Sequence, residues 1–151
     1  MRDVALPRGV VLSDRQVAAI GVDLEGGDRW FDVTSTVRLD GPPGALILWV
    51  FFDGRASLGR EAALAHWRDV HAPLALQHHV GMCRYVQHVV VDGTDPRVAA
   101  IAELHFASPT DLSERFYGSD EGRQAIAADV ASFAGRYAES FIVERVSQPK
   151  R

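Results

Sequence analysis

The sequence predicts an α+β fold, a ferredoxin-like βαββαβ protomer whose four-stranded antiparallel sheet carries its helices on one face. Three observations lead there. Strand-like and helix-like patterns alternate in the order β-α-β-β-α-β from Ala45 to Val146. The two middle strands are joined by the loop Asp92-Gly93-Thr94-Asp95-Pro96, whose residues favour a hairpin connection. Two of the strands are apolar on both faces, although helices can cover only one. The uncovered face calls for a second sheet, most simply that of a second subunit, so a homodimer is expected.

Each element has its own signal. Ala45–Phe52 is a run of aliphatic and aromatic residues bounded by Gly41-Pro42-Pro43-Gly44 and Asp53-Gly54, which reads as a buried strand. Gly59 to about His79 reads as a helix, with a kink expected at Pro73. Tyr85–Val91 and Val98–Phe106 are the middle strands. Ser108-Pro109 has the cap-then-proline order of a helix start, and Ser119 caps a second helical piece running to about Gly135. Ser140–Val146 is the last strand. Ahead of this 45–151 domain, residues 1–44 are too few for a second domain and read as an extension that packs on the core or across the dimer. Within it, Ser13-Asp14-Arg15-Gln16 has capping-box spacing ahead of Val17–Ile20, so a short helix is expected there. Trp30–Leu39 alternates like a strand.

Composition removes several functional classes. Of the 151 residues 47% are apolar and 24% charged, as in ordinary globular proteins, and the net charge of −4 comes without a basic cluster, which argues against nucleic acid. A single cysteine, Cys83, leaves no intrachain disulfide and no cysteine zinc cage. The N-terminus carries no apolar run of signal length, and the longest such run, Ala45–Phe52, is far short of the roughly 20 residues that span a bilayer. A cytoplasmic protein that engages neither membrane nor nucleic acid is the expectation.

Four of the six histidines fall between His66 and His79. At about 100° per residue, Leu64, Trp67, His71, Leu74 and His78 share one helix stripe, the one that should face the sheet, while His66 points to water. Zinc-binding helices use histidines four apart on one face. Here only His71 and His78 share a face, roughly two turns apart, so no metal site is expected. An imidazole on an apolar stripe costs free energy unless both nitrogens find partners. In the βαββαβ topology the C-terminal end of the third strand, with Glu103 and His105, and the start of the second, with Tyr85, lie near the end of this helix. If Glu103 and His105 face the helices, they converge with His71, Tyr85 and His78 between walls supplied by Trp67 and Trp49. If they face the other way, His71 stands more alone.

The segments EAALAHWRDVHAPLALQHHVGMCRYVQHVV and IAELHFASPTDLSERFYGSDEGRQAIAADVASF resemble the EthD family over about residues 45–147. The resemblance implies a dimeric α/β barrel, in a superfamily that includes polyketide cyclases, lactone isomerases and cofactor-independent monooxygenases. The family's helix histidine corresponds to His71, the following proline to Pro73 and the strand tyrosine to Tyr85. The function expected is a cofactor-free acid–base enzyme acting on a small hydrophobic enolisable or phenolic compound by cyclisation, dehydration or isomerisation. His71 would exchange the proton, with His105, Tyr85 or Glu103 as complement, and Trp67, Trp49, His78 and Leu74 would contact the substrate. An oxygenase, cofactor-free or haem-dependent, and a non-catalytic binding protein are the alternatives.

Overall fold

The computed structural model describes residues 17–24 and 27–145, with side chains from Arg29 onward. The capping-box residues Ser13–Gln16 and the end of the last expected strand, Val146, lie outside them. The chain is α+β, and the described strands belong to one antiparallel sheet of six, not four. The strands are β1 (Val17–Leu24), β2 (Gly27–Leu39), β3 (Leu46–Gly54), β4 (Met82–Gly93), β5 (Ala100–Phe106) and β6 (Ala134–Glu144), in the order β1-β2-β4-β5-β3-β6. The last four take the places that the βαββαβ pattern assigns them, and β1 and β2 extend the sheet from β4. Val17–Ile20, expected as a helix, is strand. Its pairing with β2, Val17 opposite Thr34 through Ile20 opposite Phe31, satisfies its backbone across the ladder.

Helices α1 (Arg60–His66), α2 (Ala72–His78), α3 (Pro109–Ser113) and α4 (Asp120–Phe133) follow the expected signals. The Ser108 side chain accepts from the Asp111 N–H with Pro109 in the first turn, and Ser119 accepts from the Gly122 N–H. α1 starts after Gly59, whose φ of 86° favours glycine. None of the helices among the described residues is long and apolar enough to cross a membrane.

The sheet buries both faces. On the helix side, Leu46, Phe52, Ala100, Ala102, Leu104 and Phe106 pack against Leu64, Trp67, Ala75 and Phe133. On the other side, Ile47, Trp49, Phe51, Val90, Ile101 and Val143 form a second core with Phe31 and Val33 of β2. Irregularities at Asp32/Val33 and Val37/Leu39 bend β2. The curl brings opposite ends of the sheet together. Phe31 meets Phe51 edge-on at 5.7 Å. Arg29 of β2 binds Glu139 of β6 at 2.8 Å and Asp95 at 2.8 Å. The chain itself therefore covers much of the face for which the sequence argument required a second subunit.

Candidate active site

Between α1 and α2 the helix widens. Residues Trp67–His71 form a π-helical turn, with the Ala72 N–H bonded to the Trp67 carbonyl five residues back. Pro73 accounts for its position. A proline has no N–H for the carbonyl four residues earlier and its ring crowds that carbonyl, and the wider turn relieves the conflict. The extra residue per turn changes which side chains share a face. His66, expected to point to water, lies five residues before His71, and the two imidazoles bind the same carboxylate. His66 Nε2 is 2.6 Å from Asp129 Oδ1, and His71 Nδ1 is 2.8 Å from Asp129 Oδ2. Phe133, one helical turn beyond Asp129 on α4, packs under both rings, with centroids 5.2 and 5.0 Å away.

The same turn shifts the inner stripe by one residue beyond His71. Ala75 and His79 face inward where Leu74 and His78 were expected. Leu74 is half-buried. His78 packs on α4, where a Cβ on Gly122 would come within 2.6 Å of its Nδ1. His79 Nδ1 donates to the Phe116 carbonyl, 2.7 Å away; a carbonyl only accepts, so that nitrogen carries the proton.

His71, Trp67 and Tyr85, three of the residues expected in the site, line one cavity of about 200 Å³ between helices and sheet. Phe52, Leu104, Phe116, Ile126, Val130 and Phe133 make its walls almost wholly apolar. A carboxylate can only accept, so Asp129 holds the His71 proton on Nδ1. Nε2 then keeps its lone pair, and it has no partner among the described residues. Burial pulls the His71 imidazole below the ordinary histidine range, against the opposing pull of Asp129, so the neutral form dominates near neutral pH. Burial also pushes the Tyr85 phenol up to about 12. Gln87 Nε2 donates to the Tyr85 oxygen at 3.0 Å, which leaves the phenol's own O–H available as a donor. A base and an un-ionised acid thus border the same apolar space.

Glu103, His105 and Trp49 lie on the opposite face of the sheet and do not converge with His71. Side chains alternate along β5, and Ala102, Leu104 and Phe106 take the helix side, so Glu103 and His105 point away from it. There they form a buried network. His105 Nε2 is 2.5 Å from Glu103 Oε2, and His88 Nε2 is 2.9 Å from Glu103 Oε1. Trp49 stacks on His88 with centroids 5.9 Å apart. Sequence reasoning misses Asp129, the inward role of His79, and His88. Asp129 has a signal, since Ile126, Asp129, Val130 and Phe133 share one helix face and put an acid on an apolar stripe.

A model of the EthD domain matches residues 55–136, more than half of the chain. The chain belongs to the EthD family. Among solved structures, this EthD-family chain is similar to an ethyl tert-butyl ether D family protein from Bacillus halodurans, at 21% identity and a TM-score of 0.53, covering 67% of this chain and 98% of that one. It is also similar to an anthrone oxidase-like protein, at 15% identity and a TM-score of 0.54, covering 81% of this chain and 57% of that one. At these identities the likeness is one of fold. No curated protein matches the chain by sequence.

Proposed function

We propose that this EthD-family chain is an acid–base enzyme that acts on a small hydrophobic ketone or phenol. The carrying observation is the His71 imidazole, which lines an apolar cavity with Nδ1 tied to the half-buried Asp129 carboxylate and Nε2 without a partner among the described residues. His71 Nε2 takes a proton from carbon or from a phenolic hydroxyl, Asp129 stabilises the imidazolium that forms, and the Tyr85 O–H donates to the oxygen that gains charge. The abstracted proton can return at another atom, which is isomerisation, or the enolate can close a ring or expel water. None of these steps calls for a cofactor. An apolar cavity of about 150 Å³ can take a benzene, so about 200 Å³ suits one ring with a short substituent.

A second reading is favoured by the anthrone oxidase-like neighbour. Oxygenation of an enolisable ring begins with the same proton removal, so the two readings share His71 and differ in whether oxygen is consumed. The finer fold reading, a ferredoxin-like protomer in a homodimer, is supported by the order of the last four strands and by exposed Val91. Light scattering on the eluting protein tests the dimer.

The test of function is exchange of carbon-bound hydrogen. Single-ring aryl ketones and phenols are incubated with the protein in deuterated buffer and followed by proton NMR, with dissolved oxygen monitored. Wild-type protein should accelerate exchange, and His71→Ala should remove roughly 10²–10⁴-fold of that acceleration while still binding the ligand. Binding without exchange in the wild type would replace the enzyme reading with a carrier.

A further inference from the structure

The network on the far side of the sheet has one member at the surface. Ser35 of β2 is exposed and sits directly opposite His88 of β4, with its Oγ 2.7 Å from His88 Nδ1. His88 Nε2 continues to Glu103 Oε1 at 2.9 Å, and both of these residues are buried. We propose that Ser35, His88 and Glu103 form a second site, independent of the His71 cavity, in which Ser35 is a nucleophile toward small esters.

The proton positions follow from the donors. The Gly44 N–H donates to His105 Nδ1 at 3.1 Å, so neutral His105 carries its proton on Nε2 and donates it to Glu103 Oε2. Burial alone would raise the Glu103 pKa, but hydrogen bonds from His105 and His88 hold it down at about 2, so the group is a carboxylate. His88 must therefore present an N–H to it from Nε2. In neutral His88 the remaining lone pair, on Nδ1, accepts the Ser35 hydroxyl. An orienting carboxylate, a buried base and an exposed hydroxyl in line are what nucleophilic acyl transfer requires. Trp49, stacked on the imidazole, fixes its plane. Val37, two residues on and on the same strand face, is 45% exposed and offers apolar ground beside the hydroxyl for an acyl chain.

In the reaction, Ser35 Oγ bonds to the ester carbonyl carbon and its proton passes to His88 Nδ1. The tetrahedral adduct collapses, the carbon–oxygen bond to the leaving group breaks, and the departing alkoxide takes that proton. Water then repeats the sequence, releasing the carboxylic acid and restoring Ser35. No oxidant or metal enters the balance.

Full-length protein is treated with a fluorophosphonate and, separately, with p-nitrophenyl acetate. The expected result is one phosphonyl group per chain, mapped to Ser35 by mass spectrometry, and none in Ser35→Ala, an exposed position whose change should leave the circular dichroism unaltered. His88→Gln should slow labelling roughly 100-fold. If that variant does not fold, Ser35→Ala decides alone: the label must vanish while the circular dichroism stays that of wild type. His71→Ala should label at the wild-type rate, which separates this site from the cavity. Absence of label from folded wild type, or a label that persists in Ser35→Ala, would overturn the proposal.

Discussion

Replacing Asp129 by asparagine removes the charge that two imidazoles share and leaves the shape of the side chain. The bond from His71 Nδ1 is 2.8 Å long and charge-assisted, and such bonds contribute about 1.5–3 kcal/mol. At about 1.4 kcal/mol per factor of ten, its loss from a transition state that carries an imidazolium slows the reaction about 10- to 150-fold. An asparagine can also turn its NH₂ toward Nδ1, which forces the His71 proton onto Nε2 and closes the base. The direction of the pKa change is fixed as well. At His71 burial and the neighbouring His66 push downward, and Asp129 supplies the upward contributions. Without Asp129 the imidazole titrates at lower pH. A base works when unprotonated, so the acid limb of the rate profile should move to lower pH while its plateau falls. The assay is ketone hydrogen exchange as a function of pH in both proteins, with histidine ring signals followed in parallel. An unchanged plateau, or a limb displaced to higher pH, would refute the mechanism.

His66→Ala should act in the opposite sense on His71, because it removes a like charge and leaves Asp129 to one partner; the NMR midpoint of His71 should rise. Pro73→Ala restores the missing N–H, so the π-turn should revert to regular helix. That rotates His66 away from Asp129, which the loss of its ring signal's coupling to α4 in nuclear Overhauser spectra would report. Glu103→Gln should cost about 3 kcal/mol in denaturant unfolding, since the carboxyl titrates at about 2 in place of its ordinary 4.5. A loss under about 1 kcal/mol, the net value of one ordinary hydrogen bond, would mean the network contributes little. Acid stability follows from the signs. His71 and His79 are held below 6.5 by burial, so the unfolded chain binds more protons and stability falls as the pH drops below about 6.5. Glu103 adds a second loss as the pH falls from 4.5 toward about 2, and urea midpoints between neutral pH and about pH 3 should show both.

Most of the elements are legible because each carries a local signal. Ala45–Phe52, the Asp92–Pro96 loop, the cap at Ser108 and the cap at Ser119 all stand within a few residues of where the sequence puts them. The N-terminal strand is hidden because a capping-box spacing is local, whereas the pairing of Val17–Leu24 with Gly27–Thr34 is decided by the neighbouring strand. β6 begins at Ala134, ahead of Ser140, because the polar residues along it alternate on an edge strand and mask its apolar set. In the site, His71, Tyr85 and Trp67 are legible. Asp129 shows as an acid on an apolar stripe, but its pairing with both histidines does not, since a uniform 100° per residue cannot show the π-turn that brings His66 and His71 to one carboxylate. The facing of Glu103 and His105 stays open in the sequence because β5 is buried on both sides, so alternation alone does not choose between them.

The central claim is that His71 meets ligand through a bare Nε2 while Asp129 holds the proton on Nδ1. Nitrogen-15 shifts of the His71 ring, recorded near neutral pH with and without a single-ring aryl ketone, test it most directly. The account predicts a protonated Nδ1 and an unprotonated Nε2 in the free protein, with the Nε2 resonance moving as ketone is added. A proton found on Nε2, or a ring that ignores the ligand while other cavity residues respond, would contradict it.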